Sequence, residues 1–439
     1  RATIPQHAAT TAWDGRLNGR PAPPGTYLMG LLVADRSGNS GTFPRRLPPG
    51  APGAQAPLPG HAGVTVRRLA AAPPLTPVDG GHVATVLVDA RGKPYAWALR
   101  RLGDAKVVAH GDGRGARLRV RVPHVQSGLY ALTLATGPGV PAPAHRGRHG
   151  RGHRSAAVAR GPVHRTTVPL AVRTTKPRRV LVVLPALTWQ GLNPVDDDGD
   201  GMPNTLDAAS PAHGASAQLT RPFAHGMPAD VAAQEEPLLR FLDDQLMHYD
   251  LTTDVALATD AGPPLGSHAG VVLAGDERWI TPQLRDKLRR WVHDGGRVWS
   301  LGTDSLRRLV RLDGDVLRDP SPPLPTDALG GRPRQPLVRT PAGRPATMTA
   351  YEQGRLGLFD DTSGAFPGYD AYETLGGVAP SAQLDAAAGP RADVPVIASW
   401  TLGSGFAVHT GLPQLAARAA AGDPDAQALV RQLWSILAR

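Results

Sequence analysis

The stretch that decides the fold is RRVLVVLPALTW, at residues 178–189. Its unbroken apolar run is typical of a β-strand buried on both faces, as in a parallel sheet covered by helices. Three segments continue the pattern, one with helical and two with strand character: EEPLLRFLDDQLMHYD, LTTDVALAT and HAGVVLAG. Strands and helices that alternate in this way predict an α/β doubly wound domain, which we place at residues 177–439.

The second half of this region contains helix start and stop signals. In TPQLRDKLRRWVHDGG, Thr281 is expected to be the N-cap, Pro282 suits the first turn, and two glycines end the helix. RVWSLGT then predicts a fourth strand, and SLRRLVR predicts the start of another helix. We expect a hairpin in PVIASWTLGSGFAVHTGLP and a C-terminal helix capped by Asp423.

The middle of the chain, residues 58–176, contains short apolar segments separated by turns such as DARGKP and GDGRG. This spacing predicts an Ig-like β-sandwich. Tyr130 stands at the start of a late strand, where a tyrosine often braces a corner through its hydroxyl. The candidate strands are 63–68, 82–88, 95–101, 116–122, 129–135 and 167–172.

Residues 1–57 predict one strand, at 27–34, between turn signals. WDG at 13–15, PPGTY at 23–27 and DRSGN at 35–39 are similar to the last half of a bacterial Ig-like domain of the flagellar-hook-capping type. A whole sandwich of this kind needs about seven strands. We therefore expect the C-terminal part of a truncated Ig-like domain, in a fragment that lacks its signal peptide.

The net charge of +11 arises from one region. Residues 140–180 hold ten Arg or Lys and no Asp or Glu, so the rest of the chain is nearly neutral. The core of this region, PAPAHRGRHGRGHR, predicts a solvated His/Arg/Gly-rich loop at 140–165. The alternative is contact with a polyanion through residues 144–154. Because no aromatic residue separates these arginines, we do not expect a specific nucleic-acid reader.

The sharpest local motif is DDDGDGMPNTLD, at residues 196–207. Gly201 allows the tight turn of a calcium loop, and hard oxygen donors recur around it at the spacing that Ca²⁺ needs. An acidic surface turn is the alternative. If Ca²⁺ binds, we expect its role to be structural. The candidate ligands are Asp196, Asp198, Asp200, Met202 through its carbonyl, Asn204 and Asp207.

Around this loop the chain resembles a known family. The matching stretches are VLVVLPALTWQGLN at 180–193, LTRPF at 219–223 and LAGDERW at 273–279. In this order they resemble the C-terminal domain of the N,N-dimethylformamidase large (beta) subunit family. The resemblance covers residues 180–439. It implies a glutamine-amidotransferase-like or flavodoxin-like fold without the amidotransferase cysteine.

The resemblance also implies chemistry. The family's enzymes are understood to bind one iron through two tyrosines and one glutamate, and to hydrolyse a small amide with metal-activated water. Carried over by motif, the glutamate corresponds to Glu277, whereas Leu192 in TWQGLN and Phe223 in RPF stand at the tyrosine positions. Neither Leu nor Phe can ligate a metal. The resemblance therefore implies an altered or lapsed iron site.

Two more residues are candidates for acid–base chemistry together with Glu277. Asp304 lies in LGTDS, about where an amidotransferase has its cysteine, and His409 ends a late strand. Sites of open α/β sheets gather at the carboxyl ends of the strands. The alternatives are a helix cap for Asp304 and a surface or satisfied core position for His409. The candidate pocket residues are Trp189, Asn193, Arg221 and Trp279.

Together these patterns favour an exported or envelope-associated binding protein, whose partner is a small molecule or an envelope component. A metal-assisted hydrolase of C–N bonds in a small amide is the alternative, and a polyanion-binding adhesin is the third hypothesis. The absence of cysteine excludes disulfides, thiolate metal sites and a cysteine nucleophile. No apolar run reaches the roughly 18 residues of a membrane span.

We predict that protein purified without added metal contains about one calcium per chain and no transition metal, because the 196–207 loop offers hard oxygen ligands. Elemental mass spectrometry measures both. Protein without calcium would favour the acidic surface turn, and stoichiometric iron or zinc would contradict the lapsed iron site.

Overall fold

The computed structural model describes most of the chain, and within the described residues the molecule is mostly β, with several sheets and few helices. The described residues are 13–22, 25–28, 31–34, 37–43, 63–66, 69–137, 163–197, 203–207, 215–351, 356–376, 382–388 and 393–439.

A nine-stranded mixed sheet organises the C-terminal half. Its first five strands are parallel, in the order Asp250–Thr253, Val180–Leu184, Gly270–Leu273, Arg297–Ser300 and Gly405–His409. Its last four continue antiparallel, in the order Val394–Leu402, Ala382–Ala388, Ala346–Ala350 and Ala365–Tyr369. The predicted late hairpin is confirmed, because Val394–Leu402 pairs antiparallel with Gly405–His409.

Val180–Leu184 is buried on both faces, as its sequence predicts. Its alternate residues belong to two different hydrophobic cores. One core includes helices Glu235–Asp244 and Pro424–Leu437, and the other includes helix Pro282–His293. The parallel part of the sheet is therefore covered by helices on both sides.

The predicted helix caps are confirmed. Thr281 accepts a hydrogen bond from the backbone N–H three residues further on, and helix Pro282–His293 follows it. Asp423 caps Pro424–Leu437 in the same way, at 3.0 Å. Both helices begin with proline, whose missing N–H is no loss at that position.

Two smaller sheets precede the large one and share its first core. Most of the predicted strands occur there within a few residues of their expected bounds. Val107–Gly113 is not predicted, because VVAHGDG is largely polar or glycine and its side chains are mostly exposed or half-buried. The five-stranded sheet has the order Val107–Gly113, Tyr95–Arg101, Gly128–Thr136, His164–Arg173 and Val78–Asp79, and the three-stranded sheet Arg117–Arg121, Val83–Asp89 and Ala70–Ala72.

Tyr130 braces a corner, as expected. Its hydroxyl donates a hydrogen bond to the carbonyl oxygen of Gln126, four residues upstream, at 3.0 Å. Its ring is buried in the core. The Ig-like assignment of this region stays a prediction.

The remaining elements are short. None of the helices in the described ranges is long and apolar enough to cross a membrane. The other helices are Ala186–Gly191, Asp254–Ala258 and Leu415–Ala420, with 3₁₀ turns at Ala229–Ala232 and Leu265–Ser267. The other strands are Arg16–Leu17, Arg20–Pro21, Gly25–Leu28, Leu31–Ala34, Ser40–Phe43, Gly63–Val66, Ser216–Gln218, Trp279–Ile280, Arg308–Leu309, Arg311–Asp313, Val316–Arg318, Pro333–Arg339 and Ala371–Leu375.

The helix predicted to start in SLRRLVR is wrong. The segment instead contains the short strand Arg308–Leu309, which pairs parallel with Trp279–Ile280. Asp304 and Leu306 have φ angles of 49° and 58°. Right-handed helix requires negative φ, so the backbone cannot begin a helix there.

Two predicted strands differ in extent. The strand in LTTDVALAT ends at Thr253, whose hydroxyl caps the helix Asp254–Ala258 by accepting the Ala256 N–H at 3.0 Å. The strand predicted at 27–34 appears as Gly25–Leu28 and Leu31–Ala34. Apolar residues alone did not distinguish a strand from a strand followed by a short helix.

Several expectations fall outside the described residues. The basic loop lies almost wholly in 138–162, so its contact with a polyanion through 144–154 stays a prediction. Much of the truncated Ig-like domain at 1–57 is also outside. The domain boundaries after residues 57 and 176 stay predictions.

Arg101 joins the five-stranded sheet to helix Glu235–Asp244. Its guanidinium donates two hydrogen bonds of 2.7 Å to the carboxylate of Asp243 and one of 3.1 Å to the hydroxyl of Tyr249. A fourth reaches the carbonyl oxygen of Ser127 at 2.7 Å. A bidentate, partly buried arginine–carboxylate pair of this kind is both directional and strong.

We predict that Arg101→Met and Asp243→Asn each lower the free energy of unfolding by about 2 kcal/mol or more, because each leaves its partner buried without its counter-charge. The double variant should lose less than the sum, with a coupling of about 1 kcal/mol or more. Urea unfolding of the four proteins measures this.

The matched control is the pair Arg311–Asp319, whose side chains are 67% and 68% exposed. The same cycle there should give coupling near zero, since exposed pairs contribute little. Strictly additive losses at Arg101 and Asp243 would contradict the proposed link.

Candidate functional site

The carboxyl ends of the parallel strands carry a group of buried carboxyl side chains. Asp254 directly follows one parallel strand, Asp276 and Glu277 lie in the loop after another, and Glu235 opens a helix nearby. All four side chains are buried. Burial penalises the charged form and raises the pKa of each carboxyl.

Asp254 and Glu277 form a hydrogen-bonded carboxyl pair. Asp254 also accepts the backbone N–H groups of Leu187 at 3.0 Å and Val255 at 2.7 Å, which favour its charged form. Burial and the negative charge of Asp254 raise the pKa of Glu277 well above its ordinary value. The pair therefore holds a proton more tightly than an isolated carboxyl would.

A cavity of about 20 Å³ adjoins this pair and is otherwise lined by apolar side chains, Trp279 among them. It has room for about one water molecule. Within the described residues, Oε1 of Glu277 and Nε1 of Trp279 are buried without a hydrogen-bond partner.

Glu235 lies behind Trp189. The indole Nε1 of Trp189 donates to Oε1 of Glu235 at 3.1 Å, while Oε2 is buried without a partner in the described chain. Burial raises the pKa of Glu235 to about 8. A Cβ added at Gly275 would lie 2.7 Å from Oε1, so this close approach requires glycine.

His409 is paired with a second buried carboxylate. Its Nε2 lies 2.5 Å from Oε2 of Glu373, and Oε1 of Glu373 accepts the backbone N–H of Asp304 at 3.0 Å. Burial lowers the pKa of His409, but the charge and hydrogen bond of Glu373, together with the charges of Asp327 and Asp276, outweigh burial, so the net shift is upward. The nearby Asp327 accepts three backbone N–H groups, and burial raises its pKa to about 6.

The three predicted catalytic residues lie at the same edge of the sheet, but their side chains have different partners. Glu277 is hydrogen bonded within the carboxyl pair, and His409 is paired with its own carboxylate. The carboxylate of Asp304 is held by Arg307 at 2.9 Å and by Arg308. The helix-cap alternative for Asp304 is wrong, because no helix follows it. His409 is buried, as the core alternative expected.

A pocket of about 250 Å³ opens between helix Ala186–Gly191 and the loop around residue 225. Trp189, Leu192, Phe223 and Met227 give it a largely apolar lining. Leu192 and Phe223, which stand where the resemblance places metal-binding tyrosines, thus line one pocket. Its polar lining side chains are Thr188, Asn193, His225 and Asp230.

The other predicted pocket residues have structural partners. Asn193 lines the pocket, but its amide bonds to Gln190 and to backbone groups on the facing loop. Arg221 does not line it, because its buried guanidinium donates to backbone carbonyls and to Asp197 at 2.7 Å. Trp279 lines the smaller cavity instead.

The calcium loop is described only in part, since Asp198, Asp200 and Met202 lie outside the described residues. Asp196 is buried, and the side-chain oxygen of Asn204 accepts the backbone N–H of Asp197 at 2.5 Å. Asp207 forms an ion pair with Arg278 at 3.3 Å. The described residues contain no group of three or more His, Asp or Glu arranged for a metal.

Sequence reasoning did not identify Glu235, Asp254, Asp276 or Glu373. Asp254 and Asp276 follow buried strands, which is a usable signal. Glu235 and Glu373 carry no such signal, because their partners Trp189 and His409 lie 46 and 36 residues away. His225 and Asp230 lie in RPFAHGMPAD, whose sequence predicts only a loop.

The chain matches the family model "N,N-dimethylformamidase beta subunit-like, C-terminal" over residues 115–376, which is more than half its length. No curated protein matches it.

Solved structures similar to the chain include a β-galactosidase from Bacillus circulans sp. alkalophilus, at 14% identity and a TM-score of 0.35, over 59% of this chain and 31% of that one. A β-galactosidase from Rahnella sp. R3 has 16% identity and a TM-score of 0.34, over 46% and 27%. A cytoplasmic protein from Salmonella typhimurium LT2 has 11% identity and a TM-score of 0.32, over 47% and 87%. The chain thus spans less than a third of the length of the two β-galactosidases.

We predict that raising the pH lowers the free energy of unfolding less in Glu235→Gln than in the parent protein. The folded protein keeps a proton on Glu235 up to about pH 8, whereas the unfolded chain releases it at the ordinary, lower pKa. Stability therefore falls as pH rises between these values. Between about pH 5 and about pH 9, the variant should gain about 2 kcal/mol or more relative to the parent.

Urea unfolding at the two pH values measures the difference, and Gln retains an oxygen that can accept from Trp189. The matched control is Glu236→Gln at the next helix position, which is partly exposed. A parallel pH dependence of parent and Glu235→Gln would contradict the buried, protonated Glu235.

Proposed function

The chain belongs to the N,N-dimethylformamidase beta subunit-like family, and from this premise we propose that it binds a small molecule in the 250 Å³ pocket without hydrolysing it. The observation that carries the proposal is the lining of that pocket by Leu192 and Phe223. Hydrocarbon side chains at these positions supply shape and apolar contact for a ligand, and no donor atom for a metal.

The residues present do not fit an iron centre held by two tyrosines and a glutamate. Leu192 and Phe223 have no ligating atom, and Glu277 shares a proton with Asp254. A carboxyl that holds a proton must release it before it can bind a cation. We therefore derive no reaction step through iron.

A hydrolase of C–N bonds in a small amide is the second candidate. One observation favours it: Oε1 of Glu277 is buried without a partner in the described chain, at the carboxyl ends of the parallel strands. Glu277 would then act as a metal ligand or general base. A buried group with a raised pKa is a common property of catalytic carboxyls.

Three further parts of the proposal rest on the sequence. We propose a glutamine-amidotransferase-like arrangement for the α/β portion, without its catalytic cysteine. We propose a structural Ca²⁺ in the 196–207 loop. We also propose that the protein acts outside the cytoplasm or at the cell envelope, which the Ig-like and calcium-loop resemblances support.

We predict that the protein does not release dimethylamine from N,N-dimethylformamide, either as purified or after anaerobic incubation with Fe(II), and that it keeps no stoichiometric iron after desalting. The reason is the loss of two of three iron ligands at Leu192 and Phe223. Amine release and elemental mass spectrometry measure the two quantities.

The control variant is Glu277→Gln, which removes the remaining candidate ligand and should change neither result. Stoichiometric iron together with turnover that Glu277→Gln abolishes would overturn the proposal and favour the hydrolase.

A further inference from the structure

The pocket is lined by aromatic rings as well as by aliphatic and thioether groups. Trp189 and Phe223 contribute aromatic rings, and Leu192 and Met227 contribute aliphatic and thioether surface. A pocket of about 250 Å³ lies just below the usual size range of ligand pockets and suits a small molecule. Aromatic rings attract a cation through their quadrupole as well as by apolar contact.

The polar lining side chains divide into occupied and available ones. Thr188 accepts the backbone N–H of Arg278 at 3.0 Å, and both the nitrogen and the oxygen of the Asn193 amide have protein partners. In the described part of the chain, His225 and Asp230 form no side-chain hydrogen bond or ion pair. Asp230 is half-buried, so its carboxylate is accessible to a ligand in the pocket.

Asp230 supplies the negative charge on this side of the pocket, because burial favours the neutral form of the carboxyls behind it. Buried Glu235 lies directly behind Trp189, and its Oε2 has no partner among the described residues. Burial is the main reason for the raised pKa of Glu235 and of Asp276, and the charge of Asp230 adds to it in both cases. Asp230 is therefore close enough to both carboxyls for their charges to interact.

Among the residues that the structure describes, no arginine or lysine side chain lines the pocket to balance this charge. The charge of Arg278 offsets part of the upward shift in the pKa of Asp276, and its guanidinium forms an ion pair with Asp207. Arg221 is held by Asp197 and by backbone carbonyls. A negatively charged ligand would be repelled, and a neutral one would leave Asp230 without a counter-charge.

We propose that this pocket takes a small organic cation, an alkylammonium group that contacts Trp189 and Phe223 and is balanced by the carboxylate of Asp230. This inference rests on the proposed binding function and names its ligand class. An alkylammonium combines the apolar surface that the rings require with the charge that Asp230 requires. It forms no covalent bond and needs no metal.

The test compares choline with 3,3-dimethylbutan-1-ol, which has the same shape with carbon in place of nitrogen and is neutral. Isothermal titration calorimetry at constant ionic strength measures both. We expect choline to bind about tenfold or more tightly than the alcohol. Asp230→Asn should weaken choline binding by about tenfold and leave the alcohol unchanged.

Two control variants locate the effect. Asp244→Asn removes an exposed carboxylate at the far end of helix Glu235–Asp244 and should leave choline binding unchanged. Leu192→Trp fills the pocket and should abolish binding of both probes. Urea unfolding of each variant shows whether it is folded.

The outcomes separate this inference from the proposed function. If both probes bind equally, Leu192→Trp abolishes both and Asp230→Asn changes neither, the pocket binds small molecules but the cation inference is wrong. If neither probe binds at millimolar concentration, the cation inference is also wrong. The proposed function itself is tested separately, and iron-dependent amide hydrolysis would contradict it.

Discussion

Burial of both faces of Val180–Leu184 is the constraint on which the rest of the site depends. One hydrophobic core packs on each face of this strand. The chain can therefore turn away only after the strand ends, at the carboxyl end of the parallel strands. It does so at Pro185, and Asp254 accepts the backbone N–H of Leu187 in the first turn of helix Ala186–Gly191. That helix sets the positions of Trp189 and Leu192.

The same edge concentrates acidic groups where water is scarce. Charge there is limited mainly by protonation, because the nearby arginines have other partners: Arg307 and Arg308 hold Asp304. Like Asp304, Glu373 has a partner that can balance its charge, the buried His409. The site therefore consists of buried carboxyls that favour the protonated form, beside an apolar pocket. These carboxyls must release protons before they can coordinate a metal, and the charged carboxylate at the pocket itself is that of Asp230.

The sequence predicted the parts of the fold that local chemistry controls. An all-apolar strand at 180–184 and side-chain caps at Thr281 and Asp423 need no knowledge of distant residues. The helix predicted in SLRRLVR failed because the loop around Asp304 is set by long-range contacts. Among site residues, Leu192 and Phe223 were found by resemblance and lie together. Glu235 was missed, because its role depends on Trp189, distant in sequence.

Helix Glu235–Asp244 joins two regions that sequence alone would treat separately. Arg101 of the five-stranded sheet is hydrogen bonded to Asp243 in its last turn. Its first residue, Glu235, lies behind Trp189, which lines the pocket. Ten helical residues form a stiff rod about 15 Å long. A shift of the five-stranded sheet at Arg101 would therefore be transmitted along this rod to Glu235 and the wall of the pocket.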